Sequence, residues 1–191
     1  MKLIVPTMEY DRQIQAFRQE YLEDGGSMDG SSSLRKYPCT QDWLDQIEPL
    51  TAQYIYVREE DDTVVGLIQI RQHLNAYLSQ YAGHIGYCVR PSERRKGCAT
   101  RMLAAVLPEC MRLGISDVLV CCLVDNVASR KTILRNGGIM NQRFRILAVS
   151  NGSSGIGYSC PAGPCTPIPD HVPACAAWTY RRPVLSEMLC F

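Results

Sequence analysis

Residues 84–138 alternate strand, helix, strand and helix with short connections. Two strands that enclose a helix fit one sheet as a parallel pair joined by a right-handed crossover. The first run, 84–89, is strand-like and is stopped by Arg90-Pro91. A helix is predicted over 97–113, because Ala99, Met102, Leu103, Val106, Cys110 and Leu113 share one face and Gly114 can close it. Pro108 lies inside that pattern and predicts a kink or a local opening. Residues 118–124 are apolar on both faces and read as a buried central strand. A second helix follows over 126–136, closed by Gly137-Gly138.

The upstream half is of another kind. Residues 54–57 and 64–70 are β-rich runs joined by Glu59-Glu60-Asp61-Asp62, which predicts an antiparallel hairpin. A short strand opens the chain at 2–5. Ile14, Phe17 and Tyr21 have helical spacing, and Asp24-Gly25-Gly26 ends that helix. Thr40 can cap a short helix carrying Trp43, Leu44 and Ile47. Antiparallel strands first and a parallel β-α-β unit later make an α+β mixed sheet.

The turn Glu93-Arg94-Arg95-Lys96-Gly97-Cys98-Ala99-Thr100 joins a strand to a helix. Amides at such a turn have no helical acceptor, and with the helix dipole they form an anion site. Gly97 permits close backbone approach, Ala99 is small, and Thr100 offers a hydroxyl. Arg94, Arg95 and Lys96 add charge, so a pyrophosphate is the natural ligand. The nucleotide-hydrolase phosphate loop and the dinucleotide Gly-x-Gly-x-x-Gly fingerprint are both absent.

Arg94-x-x-Gly97-x-Ala99 resembles the acyl-CoA motif of the GNAT superfamily of N-acetyltransferases. The run 83–97, the segment Arg71-x-His73-Leu74-Asn75 and the segment Asp125-Asn126-x-x-Ser129-Arg130-Lys131 resemble a branch of that family. The resemblance covers roughly residues 2–140 and is most specific over 83–138. It implies a GNAT-like sheet with splayed fourth and fifth strands and helices on both faces. It also implies acetyl-CoA as co-substrate and a primary amine, small or peptide-like, as acceptor. Carried onto this chain, Tyr87, Cys88 and Val89 lie along the pantetheine arm. Backbone groups of Val89 bond that arm, and the Cys88–Val89 region offers an N–H to the thioester oxygen. The pyrophosphate rests on the amides of Arg95, Lys96, Gly97, Cys98, Ala99 and Thr100. Asn126 stands near the pantetheine or caps its helix, with Ser129 following.

Many relatives carry a tyrosine proton donor in the helix after the fifth strand, and here that place is Ile133. Tyr87 is then the first candidate acid, with His84 and His73 as candidate bases. Glu20, Glu23 and Asp29 lie in the region of the acceptor wall. The implied activity is direct attack of an amine within a ternary complex. A non-catalytic acyl-CoA sensor is the alternative that Ile133 motivates.

A boundary near 149 separates a domain, 1–148, from a tail, 149–191, rich in Cys and Pro. The tail reads as a divergent extension, as a flexible appendage, or as a zinc site built from Cys160, Cys165, His171 and Cys175, a spacing that matches no known knuckle. Of the two closing strands that relatives carry, residues 140–149 suit the first, and within the tail Trp178-Thr179-Tyr180 is a poor stand-in for the second. No metal is expected. Cys88, Cys98, Cys110, Cys121 and Cys122 lie in apolar patterns and read as small hydrophobes. A formal charge of +1 and the lack of interleaved aromatics argue against nucleic acid. Without an export signal or a long apolar run, the chain reads as cytoplasmic and not membrane-bound. A homodimer is compatible with this reading.

Overall fold

The structure is a computed structural model and describes residues 1–145 and 174–181. Seven described strands form one sheet in the order β1-β2-β3-β4-β5-β7-β6. They are β1 (Lys2–Ile4), β2 (Thr51–Arg58), β3 (Thr63–Arg71), β4 (Ile85–Val89), β5 (Asp117–Leu123), β6 (Ile139–Arg145) and β7 (Ala174–Arg181). Pairing is antiparallel throughout except between β4 and β5, which are parallel. The helices are α1 (Asp11–Asp24), α2 (Thr40–Asp45), α3 (Cys98–Arg112) and α4 (Val127–Arg135). The mixed α+β architecture is therefore as expected, with the crossover helix α3 between β4 and β5.

Two apolar clusters lie on opposite faces of the sheet. On one, Ile14, Phe17 and Tyr21 of α1 and Trp43 of α2 pack on Ile55, Val57, Val64 and Leu67. On the other, Met102, Leu103, Val106 and Cys110 of α3 and Ile133 of α4 pack on Val65, Ile68, Val118 and Val120. A register shift opposite Tyr56/Val57 makes Val65 an extra residue in β3. It turns Val65 and Gly66 together toward α3, where a Cβ on Gly66 would lie 2.8 Å from the Met102 sulfur.

Pro108 does not interrupt α3, which is helical from Cys98 to Arg112. Pro108 and Ala104 are exposed, so water can serve the Ala104 carbonyl that Pro108 cannot. Trp178-Thr179-Tyr180, a weak strand signal in the sequence, is the middle of β7, paired with Val120, Leu119 and Val118 of β5. The neighbouring Ala174, Cys175, Ala176 and Ala177 are small, and pairing with strands on both sides rather than propensity makes this stretch a strand. Cys160, Cys165 and His171 of the zinc reading lie outside the described residues. Among the described residues no group of His, Cys, Asp and Glu suits a metal ion, and no helix is long and apolar enough to cross a membrane.

Trp43 is completely buried and its indole N–H donates to the Ser31 carbonyl at 2.8 Å, anchoring the loop between α1 and α2. Trp43→Ala is expected to lower stability by about 3–5 kcal/mol, read from the urea midpoint. A loss below about 1 kcal/mol would show that this loop is not held by the indole.

Candidate functional site

β4 and β5 share one paired position, Ile85 with Val120. Beyond it the strands have no further register, so the sheet opens toward the C-terminal end of β4. Arg90 N–H donates to Val65 O at one end of the β3–β4 ladder, and Arg71 N–H donates to His84 O at the other. Antiparallel alternation between these points turns the polar groups of Cys88 toward Leu67 of β3. It turns those of Tyr87 and Val89 the other way, into the opening. The Val89 carbonyl already accepts the Tyr21 hydroxyl at 2.7 Å, which leaves one of its lone pairs for a ligand.

The turn before α3 lies at the mouth of this opening. Gly97 is left-handed, at φ 76, and so is Arg95, at φ 65. α3 starts at Cys98, and its first bond to the turn is Arg101 N–H to Gly97 O. Among the described residues, the amides of Arg95, Lys96, Gly97, Cys98, Ala99 and Thr100 have no protein acceptor. Successive free amides at a helix start make an anion nest. The Cys98 side chain is buried, so this residue offers its amide and not its thiol.

The basic side chains are distributed differently from the sequence expectation. Arg94 makes a two-pronged ion pair with Asp24, at 3.0 and 2.9 Å, and lies over the Tyr21 ring. Lys96 pairs with Glu93 at 3.1 Å, and Glu93 also pairs with Arg58. Arg95 has no such partner among the described residues. Glu20, placed by sequence near the acceptor wall, instead binds Arg90 and the Ser92 amide. Burial raises its pKa, but these hydrogen bonds and the Arg90 charge outweigh that and hold it below the usual carboxylate value. Glu20 and Asp24 thus fasten α1 to the turn. Glu23 and Asp29 are exposed.

Tyr87 hydrogen-bonds Ser129 of α4 at 2.8 Å, and burial pushes its pKa up to about 12. Ile133 is fully buried and cannot donate a proton, and its carbonyl accepts the Tyr180 hydroxyl at 2.8 Å. Asn126 caps α4, its side chain accepting the Ser129 amide at 3.0 Å. His73 is exposed on the wall of a separate cavity beyond β3.

His84 is not poised as a base. Its Nδ1 accepts the Leu119 amide at 3.0 Å, and its own amide donates to the Leu119 carbonyl at 2.8 Å. The ring lone pair is engaged, and the residue clamps β4 to β5 where the opening begins. Burial and then the Arg71 charge lower its pKa below the usual 6.5. A depressed folded pKa contributes stability above the unfolded value that is lost as pH falls below it. The urea midpoint of the wild type is therefore expected to drop as pH falls from about 7 toward 5, and His84→Asn to flatten that limb. Equal slopes would show that His84 does not couple folding to pH.

Sequence reasoning missed Tyr21 as a contact of the opening. Tyr21 carried a visible signal only as a core position of α1.

A strand ending beside a parallel gap is thus followed by a nest of free amides, an arrangement that suits an anion. The family model for acetyltransferases (GNAT) matches residues 14–137, and the chain belongs to that family. No curated protein matches the chain in sequence. Among solved structures, the chain is similar to the Microcin C7 self immunity acetyltransferase MccE in complex with acetyl-CoA and AMP. That match has 15% identity over 94% of this chain and 91% of that one, at a TM-score of 0.62. The ribosomal-protein-S5-alanine acetyltransferase from Vibrio fischeri matches at 12% identity, 94% and 91% coverage and a TM-score of 0.64. The acetyltransferase that modifies the N-terminal serine of ribosomal protein L7/L12 from Salmonella typhimurium matches at 15% identity, 95% and 94% coverage and a TM-score of 0.61. At such identities the likeness is one of fold.

Proposed function

We propose that the protein transfers an acetyl group from acetyl-CoA to a primary amine by direct attack in a ternary complex. The observation that carries this is the run of free amides from Arg95 to Thr100 at the mouth of the β4–β5 opening. Those amides fit a diphosphate, and the outward polar groups of Tyr87 and Val89 fit the amides of an extended arm. Acetyl-CoA, when bound, supplies an activated thioester.

The chain's own groups then have distinct tasks. The amides before α3 hold the diphosphate, with the Arg95 side chain adding charge. An outward N–H of β4 donates to the carbonyl oxygen as negative charge develops on it. The amine nitrogen attacks as the neutral base, forming the C–N bond while the C–S bond breaks. The leaving sulfur carries the electron pair, and the Tyr87 hydroxyl donates a hydrogen bond to it. The amine proton passes to water. Asn126 and Ser129 fix the α4 end that positions Tyr87.

The test pairs two measurements on the purified chain: calorimetric binding of CoA, and thiol release from acetyl-CoA across a panel of amines. Saturable binding with amine-dependent release is expected. Binding without release from any amine would replace this reading with an acyl-CoA sensor, for which the buried Ile133 speaks. Absence of CoA binding would remove both.

A further inference from the structure

A cavity of about 480 Å³ lies beyond the C-terminal end of β3, with Ser32, Glu48, Gln69, Arg71 and His73 in its lining. That volume suits a small molecule. Among the described residues, none of β4 or β5 lines it. The loop that supplies Ser32 to its wall is pressed on β4 two residues earlier, at Gly30. A Cβ on Gly30 would lie 2.1 Å from the Gly86 carbonyl and 2.4 Å from the Tyr87 nitrogen. Backbone meets backbone there without room for a methyl group, and this contact separates the cavity from the β4–β5 opening.

Gln69 is only 7% exposed. Its Oε1 accepts the Ser32 amide at 3.1 Å, which fixes the orientation of the side-chain amide. The two N–H donors of its Nε2 have no acceptor among the described residues. Its partner across the β2–β3 register, Gln53, makes the contrast: the Gln53 Nε2 donates to the Gly30 and Ile68 carbonyls, each at 3.1 Å. A buried donor left unpaired costs about 1–3 kcal/mol. Arg71 stands two residues on, along the same face of β3, and lines the cavity as well. It is half-buried, spends one donor on the Gly83 carbonyl at 3.0 Å and has no ion pair among the described residues. Arg58, Arg90, Arg94 and Arg112, in contrast, each pair with a carboxylate. Glu48 is exposed at the rim and acts on Arg71 only as a more distant charge. The cavity is therefore positive and rich in donors at its inner end and negative at its rim.

We infer that this cavity is a second ligand site, apart from the acyl-transfer opening, and that it takes a small zwitterion. The carboxylate of the ligand accepts from the Gln69 Nε2 beside the Arg71 charge, and its ammonium group lies toward Glu48. The ligand is bound and not acetylated, because the Gly30–Gly86 contact keeps it from the thioester. A carboxylate supplies the acceptor that the buried Gln69 donors lack and the counter-charge that Arg71 lacks. The inference does not depend on the transferase reading, since it concerns binding at another place on the sheet.

The test is calorimetric titration of the full chain with glycine, β-alanine, 4-aminobutyrate and 6-aminohexanoate, with β-alaninamide and butyrate as controls. At least one of the four zwitterions is expected to bind about 10-fold or more tightly than either control. Gln69→Glu keeps the Oε1 acceptor for the Ser32 amide but replaces the free donors with a negative charge, and is expected to abolish this binding. A urea titration checks that the variant is folded. Should it not fold, Glu48→Gln at the exposed rim decides instead, and is expected to bring the zwitterion down to the affinity of butyrate. No binding of any zwitterion, or binding no tighter than the controls, would overturn the inference and leave the Gln69 amide to water. Unchanged binding in folded Gln69→Glu, or in Glu48→Gln where that variant decides, would overturn it too. Mass spectrometry after incubation with acetyl-CoA is expected to return the bound zwitterion unmodified, and its N-acetyl derivative would place it in the opening and overturn the separation of the two sites.

Discussion

Gly97→Glu is expected to abolish measurable acetyl-CoA binding while the chain stays folded. Gly97 sits at φ 76 and ψ 7, and a Cβ there would meet only the Arg101 Nη1, at 3.6 Å. The protein itself thus has room, and the folding cost is limited to left-handed strain of about 1–2 kcal/mol. The ligand has no such room. A carboxylate among the free amides of Arg95 to Thr100 meets a diphosphate at close range, where two like charges about 4 Å apart repel by about 4 kcal/mol in a partly screened site. Blocked backbone approach adds to this, so the Kd rises by more than about 1000-fold. Gly97→Ala separates the two effects, because it carries the strain without the charge and keeps most of the affinity. Calorimetry reads the binding and a urea titration the fold. An affinity for Gly97→Glu within a few-fold of wild type would move the diphosphate away from this turn.

Tyr87→Phe is expected to lower kcat by about 10- to 100-fold with little change in the KM for acetyl-CoA. A hydroxyl whose pKa is pushed up to about 12 stays protonated across the working range. Full proton transfer to a thiolate, whose acid has a pKa near about 8.5, is uphill. On the proposed mechanism Tyr87 therefore acts by hydrogen bond to the departing sulfur and not as a titrating acid. Two results follow. The phenylalanine variant loses rate in a single turnover, where release of product does not mask chemistry. The wild-type pH–rate profile shows no descending limb from this group below about 12. Equal single-turnover rates would leave Tyr87 as a packing residue held by Ser129.

Much of this could be read along the chain, because its causes are local. The α1 face of Ile14, Phe17 and Tyr21 follows from helical spacing, and all three are buried. The strand, turn and helix around Gly97 follow from the left-handed glycine and the amphipathic run behind it. What could not be read depends on contacts between distant segments. Arg94 looked like a phosphate ligand in its own turn, yet Asp24, a separation of 70 residues, holds it. His84 looked like a base until the fold brought the Leu119 amide to its Nδ1. β7 was obscured because small residues have little strand preference until two neighbours offer them a ladder.

The position of β7 has a bearing on how the molecule is made. It is the last described strand in the chain, yet it lies between β5 and β6. During synthesis β5 emerges long before the residues that will cover its second edge. β6 pairs only with β7 among the described strands, so it has nowhere to dock in the meantime. A nascent chain halted short of Ala174 presents the open side of Val118, Val120 and Cys122 to whatever strand-like segment it meets first.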